Sequence, residues 1–155
     1  MKEIKISLDM IENARVKSEE MGRLRNSILK GGGNLAGFIG EQIALEYLGG
    51  TWHNTYSYDI VLPNGEKVDV KTKQTSVKPL PNYDCSISNY NTKQSCDMYA
   101  FVRGKNDLTV GWYLGSMDKK EYFEKAVFVK KGDVDPSNNY TARSDCYNIK
   151  IEDLD

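Results

Sequence analysis

The stretch Tyr58 to Lys73, Y-D-I-V-L-P-N-G-E-K-V-D-V-K-T-K, constrains the fold of this chain more than any other. It predicts two short strands joined by a tight turn. In the second strand two valines alternate with charged residues, which are Lys67, Asp69 and Lys71. Successive side chains of a strand point to opposite faces of the sheet. The charged side chains are therefore expected on one face and the valines on the other.

The loop between the strands sets which side chains meet, and two loop types fit the sequence. A two-residue type I′ turn at Asn64-Gly65 is the commonest use of that dipeptide. It would place Ile60 opposite Asp69, so apolar and charged side chains would share each face of the hairpin.

A three-residue loop shifts the register by one residue and gives a more consistent hairpin. Pro63 then occupies the second position of a type I turn, and Gly65 adopts a left-handed conformation in a bulge. Ile60 opposes Val68 in this register. Asp59 opposes Asp69, and both carboxylates share a face with the ammonium group of Lys71. We favour this register.

Two carboxylates facing each other repel, and the pair destabilises the strands by a fraction of a kcal/mol up to about 1 kcal/mol. A divalent cation that prefers oxygen ligands, such as Mg²⁺, would offset this repulsion. Lys71 would then hold an attacking water or neutralise charge on a phosphate. The alternative is an ordinary half-buried strand with a solvated charged face, because a single short motif is weak evidence.

Composition favours one domain, residues 1–155, long enough to bury a core. Apolar residues make up 39% and charged residues 28% of the chain. No apolar run approaches the length of a membrane span, and M-K-E-I-K-I-S-L-D-M lacks a signal-peptide core. We therefore expect a cytoplasmic protein, in the host cytoplasm if a phage encodes it.

Cysteine and histidine usage argues against a zinc site. The three cysteines have no C-x-x-C spacing, and His53 is the single histidine. We interpret the cysteines as reduced, structural thiols. They are Cys85, Cys96 and Cys146.

The net charge of −1 argues against a protein that coats nucleic acid without specificity. The charges are nevertheless unevenly distributed. Lysines cluster around the hairpin, whereas the chain from Asp133 onward is acidic. A basic face is compatible with contact to a phosphate backbone, although many proteins of other functions share this property.

Residues from about Asp9 to Lys30 predict an amphipathic helix that Ser7 or Asp9 caps. Its apolar stripe comprises Met10, Ala14, Met21, Leu24 and Ile28. The glycines that follow, residues 31–33, are interpreted as a hinge. A phosphate-binding loop is the alternative, but a helix precedes these glycines and no G-K-[ST] follows them.

A second helix is predicted from Leu35 to Leu48, with Asn34 as its cap and Gly49-Gly50 as its end. It is apolar almost all the way round, which is typical of a buried helix. A carboxylate there, such as Glu41, needs a partner or a metal ion. The alternatives are that Glu41 lies on an exposed strip of the helix or forms an ion pair.

The rest of the chain predicts mainly strands, which are Thr51 to Thr55, Tyr83 to Ser88, Met98 to Val102, Leu108 to Leu114, Ala126 to Val129 and Tyr147 to Ile151. Residues 88–95 are expected to form a loop or a short helix. Ser116 is expected to cap a short helix through Glu124. The outline is an α/β or α+β domain. Its parts are an N-terminal helix and glycine hinge (1–33), a core (34–102) and C-terminal strands with a short helix (103–155).

The order of a helical Glu41, then Y-D-I-V-L with Asp59, then V-D-V-K-T-K with Asp69 and Lys71 resembles the PD-(D/E)XK nuclease superfamily. The similarity covers roughly Asn34 to Val102, and the longer layout is similar to small phage-encoded members. Two departures from the family pattern are that Ser57-Tyr58-Asp59 lacks the proline before the first aspartate, and that Asp69 replaces the more usual glutamate. The resemblance implies a restriction-endonuclease-like core, with a mixed central sheet flanked by helices.

By this resemblance the protein would be a Mg²⁺-dependent DNA endonuclease that uses metal-activated water, and Mn²⁺ would substitute for Mg²⁺. Asp59, Asp69 and the Val70 carbonyl would bind the metal, and Glu41 would bind a second ion or orient water. Lys71 would position the attacking water, with Gln74 as a further polar residue of the site. A homodimer would suit cleavage of both strands. The alternative is a nuclease-fold module that binds DNA or a protein without cutting.

Overall fold

Eleven strands and three α-helices form the part of the protein that the computed structural model describes, residues 1–25, 32–53 and 55–155. The strands are β1 (Lys2–Lys5), β2 (Thr51–Trp52), β3 (Ile60–Val61), β4 (Lys67–Thr75), β5 (Asp84–Ser88), β6 (Met98–Lys105), β7 (Val110–Asp118), β8 (Val127–Val129), β9 (Val134–Asp135), β10 (Tyr140–Thr141) and β11 (Cys146–Lys150). The helices are α1 (Leu8–Arg25), α2 (Gly32–Leu48) and α3 (Lys119–Lys125), with short 3₁₀ helices at Asn89–Asn91 and Ile151–Asp153.

Six strands make a mixed central sheet in the order β1-β7-β6-β4-β3-β2. Only β4 and β6 pair in parallel, and the other neighbours are antiparallel. A second sheet has the order β5-β11-β8, and β9 pairs with β10. The prediction of a mixed α/β fold is therefore confirmed at that level.

The hairpin adopts the three-residue loop that the sequence favours. Ile60 pairs with Val68. Gly65 has a φ of 88°, and its N–H donates to the Leu62 carbonyl at 2.8 Å. The predicted register is thus confirmed, although Asp59 lies just outside β3 rather than in it.

Helix α1 begins as predicted, because the Met10 N–H donates to the Ser7 side chain at 3.1 Å. The predicted end of this helix at Lys30, with Ile28 and Gly31, lies outside the described residues. Helix α2 begins at Gly32, so the prediction of Asn34 as its cap is wrong. Glycine disfavours a helix interior by only about 1 kcal/mol, which the packing of the apolar residues downstream can offset.

Helix α2 ends where the sequence places its end. Gly49 has a φ of 73°, and its N–H donates to the Leu45 carbonyl at 2.8 Å. The helix is less buried than predicted, because Tyr47 is 52% exposed. The Tyr47 ring stacks on Tyr113 at 4.1 Å between centroids, which explains an aromatic residue at this exposed position.

Several elements of the second half differ from the sequence prediction. Strands β6 and β7 are longer than expected, so the turn between them is shorter. The cap of α3 is Asp118 rather than Ser116, because the Asp118 carboxylate accepts from the N–H groups of Lys120 and Glu121. Strand β1, which pairs with β7, was not predicted.

The connection from β4 to β6 also departs from the order that the resemblance implies. It contains β5 and a 3₁₀ helix instead of an α-helix. The resemblance implies a helix between these strands, whereas β5 belongs to the second sheet, which packs there instead.

The two faces of the central sheet bury different cores. One face packs against α1 and α2 through apolar residues such as Ile43, Val68 and Val102. The other face packs against the second sheet and α3 through an aromatic cluster that includes Tyr99 and Tyr122. None of the described helices is long and apolar enough to cross a membrane.

One edge of β4 is open where the site lies. Strand β3 pairs only with the first two residues of β4, and no other described strand pairs on that side. From Asp69 onward, the backbone at this edge of β4 has no described strand beside it and is accessible to side chains from other elements.

Candidate active site

Asp69 is the most buried of the predicted acids, at 4% exposure, and it lies in β4 at the point where β3 ends. Its Oδ2 atom lies 2.6 Å from the Lys71 ammonium nitrogen. No donor among the described residues is aligned for a hydrogen bond to this buried oxygen. The contact is therefore an ion pair that leaves part of the oxygen's bonding capacity unused.

Asp59 reaches the open edge of β4 from the residue just before β3. Its Oδ2 atom accepts a hydrogen bond from the Val70 N–H at 2.8 Å. The N–H and carbonyl of one strand residue point to the same side of the strand. The Val70 carbonyl is therefore directed toward the edge where Asp59 lies, while the Val70 side chain is buried in the core.

Glu41 approaches from helix α2 and is 8% exposed. Its Oε2 atom accepts from the Trp52 indole nitrogen at 2.5 Å and lies 3.7 Å from the Lys17 ammonium. Close packing of α2 on β4 holds it there, since a Cβ atom on Gly40 would lie 1.8 Å from the Thr72 hydroxyl. Only glycine fits at position 40 without displacing the helix from the strand.

Lys17, on helix α1, was not predicted as a site residue. Its ammonium donates to the His53 carbonyl at 2.7 Å and lies 3.7 Å from the centre of the Trp52 ring. Burial lowers the pKa of Lys17, and the nearby carboxylates of Glu41 and Asp59 oppose this effect.

Gln94 is a second residue that the sequence did not reveal. It is 6% exposed and lies in the connection between β5 and β6. Its side-chain oxygen accepts from Lys71 at 3.1 Å, and its nitrogen donates to the Tyr56 carbonyl at 2.7 Å and to Asp69 at 3.5 Å. The Lys119 ammonium donates to the Gln94 carbonyl. Gln94 therefore fixes the position of Lys71 beside Asp69.

The three carboxyl groups crowd one another. Glu41 and Asp69 both lie within hydrogen-bonding reach of Asp59. Burial, followed by the charges of Glu41 and Asp69, raises the pKa of Asp59 to about 8. Burial also raises the pKa of Glu41 and of Asp69. Ionising all three acids at once costs free energy, so the group needs bound protons or a cation between the carboxylates.

The acids of this site fit a divalent cation by their chemistry rather than by their arrangement. In residues 1–25, 32–53 and 55–155, no group of three or more histidine, cysteine or acidic side chains is arranged to hold a metal ion. Trp52 and Lys17 instead hold Glu41, and Lys71 holds Asp69. The chemistry still fits, because the groups are carboxylate oxygens with one incompletely bonded oxygen on Asp69, which suits Mg²⁺.

Comparison of the sequence with models of known protein families and with curated proteins finds no match.

The structure brings Glu41, Asp59, Asp69 and Lys71 together at one edge of the central sheet. No described hydrogen bond or ion pair joins Gln74 to them. Gln74 is exposed near the end of β4, and its side chain lies on the face opposite that of Asp69 and Lys71, which is the face against which α2 packs. The role of Gln74 stays a prediction without a described contact to the acids.

Proposed function

We propose that this protein is a Mg²⁺-dependent nuclease that hydrolyses phosphodiester bonds of DNA at the site of Glu41, Asp59, Asp69 and Lys71. The observation that carries the proposal is the meeting of two buried carboxyl groups and the half-buried Asp59 carboxyl with the Lys71 ammonium, delivered by a helix, a loop and a strand. The site supports phosphodiester hydrolysis, and the resemblance to the PD-(D/E)XK superfamily supports DNA as substrate. A restriction-endonuclease-like core and a cytoplasmic location belong to the same proposal.

Asp59, Asp69 and the Val70 carbonyl would hold the ion, with Glu41 as a further ligand or as a partner of bound water. When bound, Mg²⁺ supplies Lewis-acid activation of the phosphate and of water. The edge of β4 presents these groups on one side, because Asp59 bonds to the Val70 N–H there. The phosphate would approach this open edge, which no described strand covers.

Lys71 supplies the positive charge of the site. Its ammonium lies between Asp69 and Gln94, at 2.6 Å and 3.1 Å. From this position it can hold an attacking water or a phosphate oxygen through one of its remaining N–H groups. Gln94 keeps the ammonium in place when Asp69 exchanges this contact for another cation.

A second candidate is a module with this fold that binds DNA or a protein without cleaving it. The specific observation in its favour is that the described acids form no finished metal-binding group. In this case Lys71 would permanently neutralise Asp69, and the ion pair would have a structural role.

A cleavage assay separates the two candidates. Linear, nicked, flapped and four-way DNA are incubated with the protein and Mg²⁺ or Mn²⁺, with EDTA as the metal-free reference. We expect metal-dependent cleavage, and Asp69→Asn is expected to lower the rate at least about 100-fold while keeping the fold. The variant should also raise the metal-free melting temperature, because it relieves repulsion among the acids.

Asp153→Asn is the matched control, since it removes one exposed carboxylate outside the site. It should leave the cleavage rate unchanged. An Asp69→Asn protein with full activity, or a wild-type protein that cleaves no DNA with either metal, would rule out the nuclease.

A further inference from the structure

Two adjoining cavities lie on the face of the central sheet that carries Asp69 and Lys71. Their volumes are about 420 Å³ and about 230 Å³. Lys73, Asp84, Ser86 and Arg103 line both of them, and Lys71 also lines the smaller one. The two cavities therefore lie side by side, Lys71 borders the smaller one, and the volume of the larger one suits a small ligand.

Two cations line both cavities, and the Asp84 carboxylate acts on both of them through its charge without forming a described ion pair with either. Lys73 and Arg103 are paired in register on β4 and β6, so their side chains emerge side by side. Among the described residues neither forms an ion pair with a carboxylate. Arg103 is 8% exposed and donates only to the Asp84 backbone carbonyl, at 2.9 Å. Burial lowers the pKa of Arg103.

The acids of the larger cavity already have partners. Asp84 pairs with the Lys150 ammonium at 2.7 Å and accepts from Asn138 at 2.6 Å. Asp135 accepts from the Ser137 backbone and hydroxyl, and from Asn148. Arg103 is therefore a buried guanidinium without an ion pair to a described carboxylate, and an anion that entered the cavity would stabilise it.

Aromatic rings accompany both cations. The Arg103 guanidinium carbon lies 5.5 Å from the centre of the Tyr83 ring, and the Lys73 ammonium lies 6.0 Å from that of Tyr140. Both tyrosines line the larger cavity. Positive charge combined with aromatic faces is the chemistry that holds single-stranded nucleic acid, since phosphates need cations and bases stack on rings.

We propose that these cavities bind the nucleotide that neighbours the scissile phosphate in a single-stranded segment, with Lys73 and Arg103 on its phosphate. The inference rests on the proposed function for the identity of the scissile phosphate. Lys71 and Lys73 are two residues apart on a strand, about 6.6 Å. This separation is comparable to that of successive phosphates in an extended strand, so each lysine meets one phosphate.

Binding measurements in the Asp69→Asn background test this inference without cleavage. The probe is a fluorescein-labelled single-stranded DNA oligonucleotide, and a blunt duplex of the same sequence is the comparison. Lys73→Gln and Arg103→Gln should each weaken single-strand binding about 10-fold. Each should also reduce the dependence of log K on log salt by about 0.7, the value of one lost phosphate contact on a single strand.

Lys5→Gln is the matched control, because Lys5 is exposed on the edge strand β1, three positions from β4 in the sheet. It should change the affinity less than about twofold. Lys73 is exposed, so its variant keeps the test valid if the buried Arg103 variant does not fold. Unchanged affinity and salt dependence in Lys73→Gln would overturn the inference.

The outcomes separate this inference from the proposed function. DNA cleavage by the wild type with unchanged oligonucleotide binding in the variants would overturn only the inference. Binding that depends on Lys73 and Arg103, without cleavage under any metal, would overturn the nuclease and the assignment next to a scissile phosphate, and would leave a single-strand binding site. Equal losses on duplex and single strand would overturn the assignment to single strands.

Discussion

Two ammonium groups face the buried acids, and their surroundings differ. Lys17 meets Glu41 at 3.7 Å and is also held by the His53 carbonyl and the Trp52 ring. Lys71 meets Asp69 at 2.6 Å and has Gln94 as its other described partner. Its side chain is also more exposed than that of Lys17, at 21% against 13%.

The difference separates a packing role from a chemical one. Lys17 is enclosed by aromatic and backbone groups that link α1, α2 and the start of the sheet, so its charge mainly stabilises the fold around Glu41. Lys71 stands at the open edge of β4 and contacts solvent. It can therefore exchange its contact with Asp69 for one with water or phosphate, as the proposed chemistry requires.

The largest expected effect comes from removing the Lys71 ammonium. Lys71→Met should lower the metal-dependent cleavage rate at least about 100-fold, because the site loses the ammonium that contacts Asp69. Lys17→Met should instead lower the free energy of unfolding by about 1–3 kcal/mol and keep the rate within about 10-fold. Rates from DNA cleavage and stabilities from urea unfolding measure the two effects.

Lys67→Gln serves as the control, since it removes an exposed lysine from the same strand. The comparison between Lys17 and Lys71 fails if both variants lose activity equally, or if Lys71→Met mainly destabilises the fold.

The next effect concerns stability against pH in the absence of metal. Asp59 has a pKa of about 8 in the folded protein and an ordinary value of 3.8. Between these values the unfolded chain holds fewer protons than the folded one, so the free energy of unfolding falls as pH rises from about 4 to about 8. We expect a loss of at least about 1.4 kcal/mol, the equivalent of one pKa unit.

Asp59→Asn keeps an acceptor for the Val70 N–H and removes the titrating group. Its stability should decline less over the same pH range, as denaturant unfolding at a series of pH values would measure. A slope identical to that of the wild type would show that Asp59 is not the group responsible.

The smallest effect distinguishes two glutamines. Gln94→Ala should lower cleavage about threefold to 10-fold, because Lys71 loses the acceptor at 3.1 Å that fixes it. Gln74→Ala should have no measurable effect on the cleavage rate, since Gln74 is exposed on the face of β4 opposite Asp69 and Lys71. If Gln74→Ala lowered the cleavage rate and Gln94→Ala did not, Gln74 would belong to the site and Gln94 would not.

The hairpin could be predicted from the sequence because its determinants are local. Pro63 and Gly65 fix the loop, and the loop fixes the register that brings Asp59 toward Asp69. Glu41 could be proposed because a carboxylate on an apolar helix requires a partner.

The other site residues depend on distant parts of the chain. Lys17 lies 24 positions before Glu41, and Gln94 lies 25 positions after Asp69 in a polar connection with no periodic pattern. Nothing local marks Gln94 as buried. The sequence of β1 does show the alternation of a strand, because Ile4 and Ile6 alternate with charged residues. Four residues are too few to distinguish a strand from an irregular segment that leads into a helix.

Titration calorimetry with Mn²⁺ at pH 7.5 tests the central claim most directly, since the claim is that these acids exist to share a cation. Asp59 is largely protonated at this pH and must ionise to bind the ion. We predict saturable binding with release of about one proton, measured in two buffers of different ionisation enthalpy, and its loss in Asp69→Asn. Wild-type protein that binds no Mn²⁺, or an Asp69→Asn variant that binds it equally well, would contradict the account.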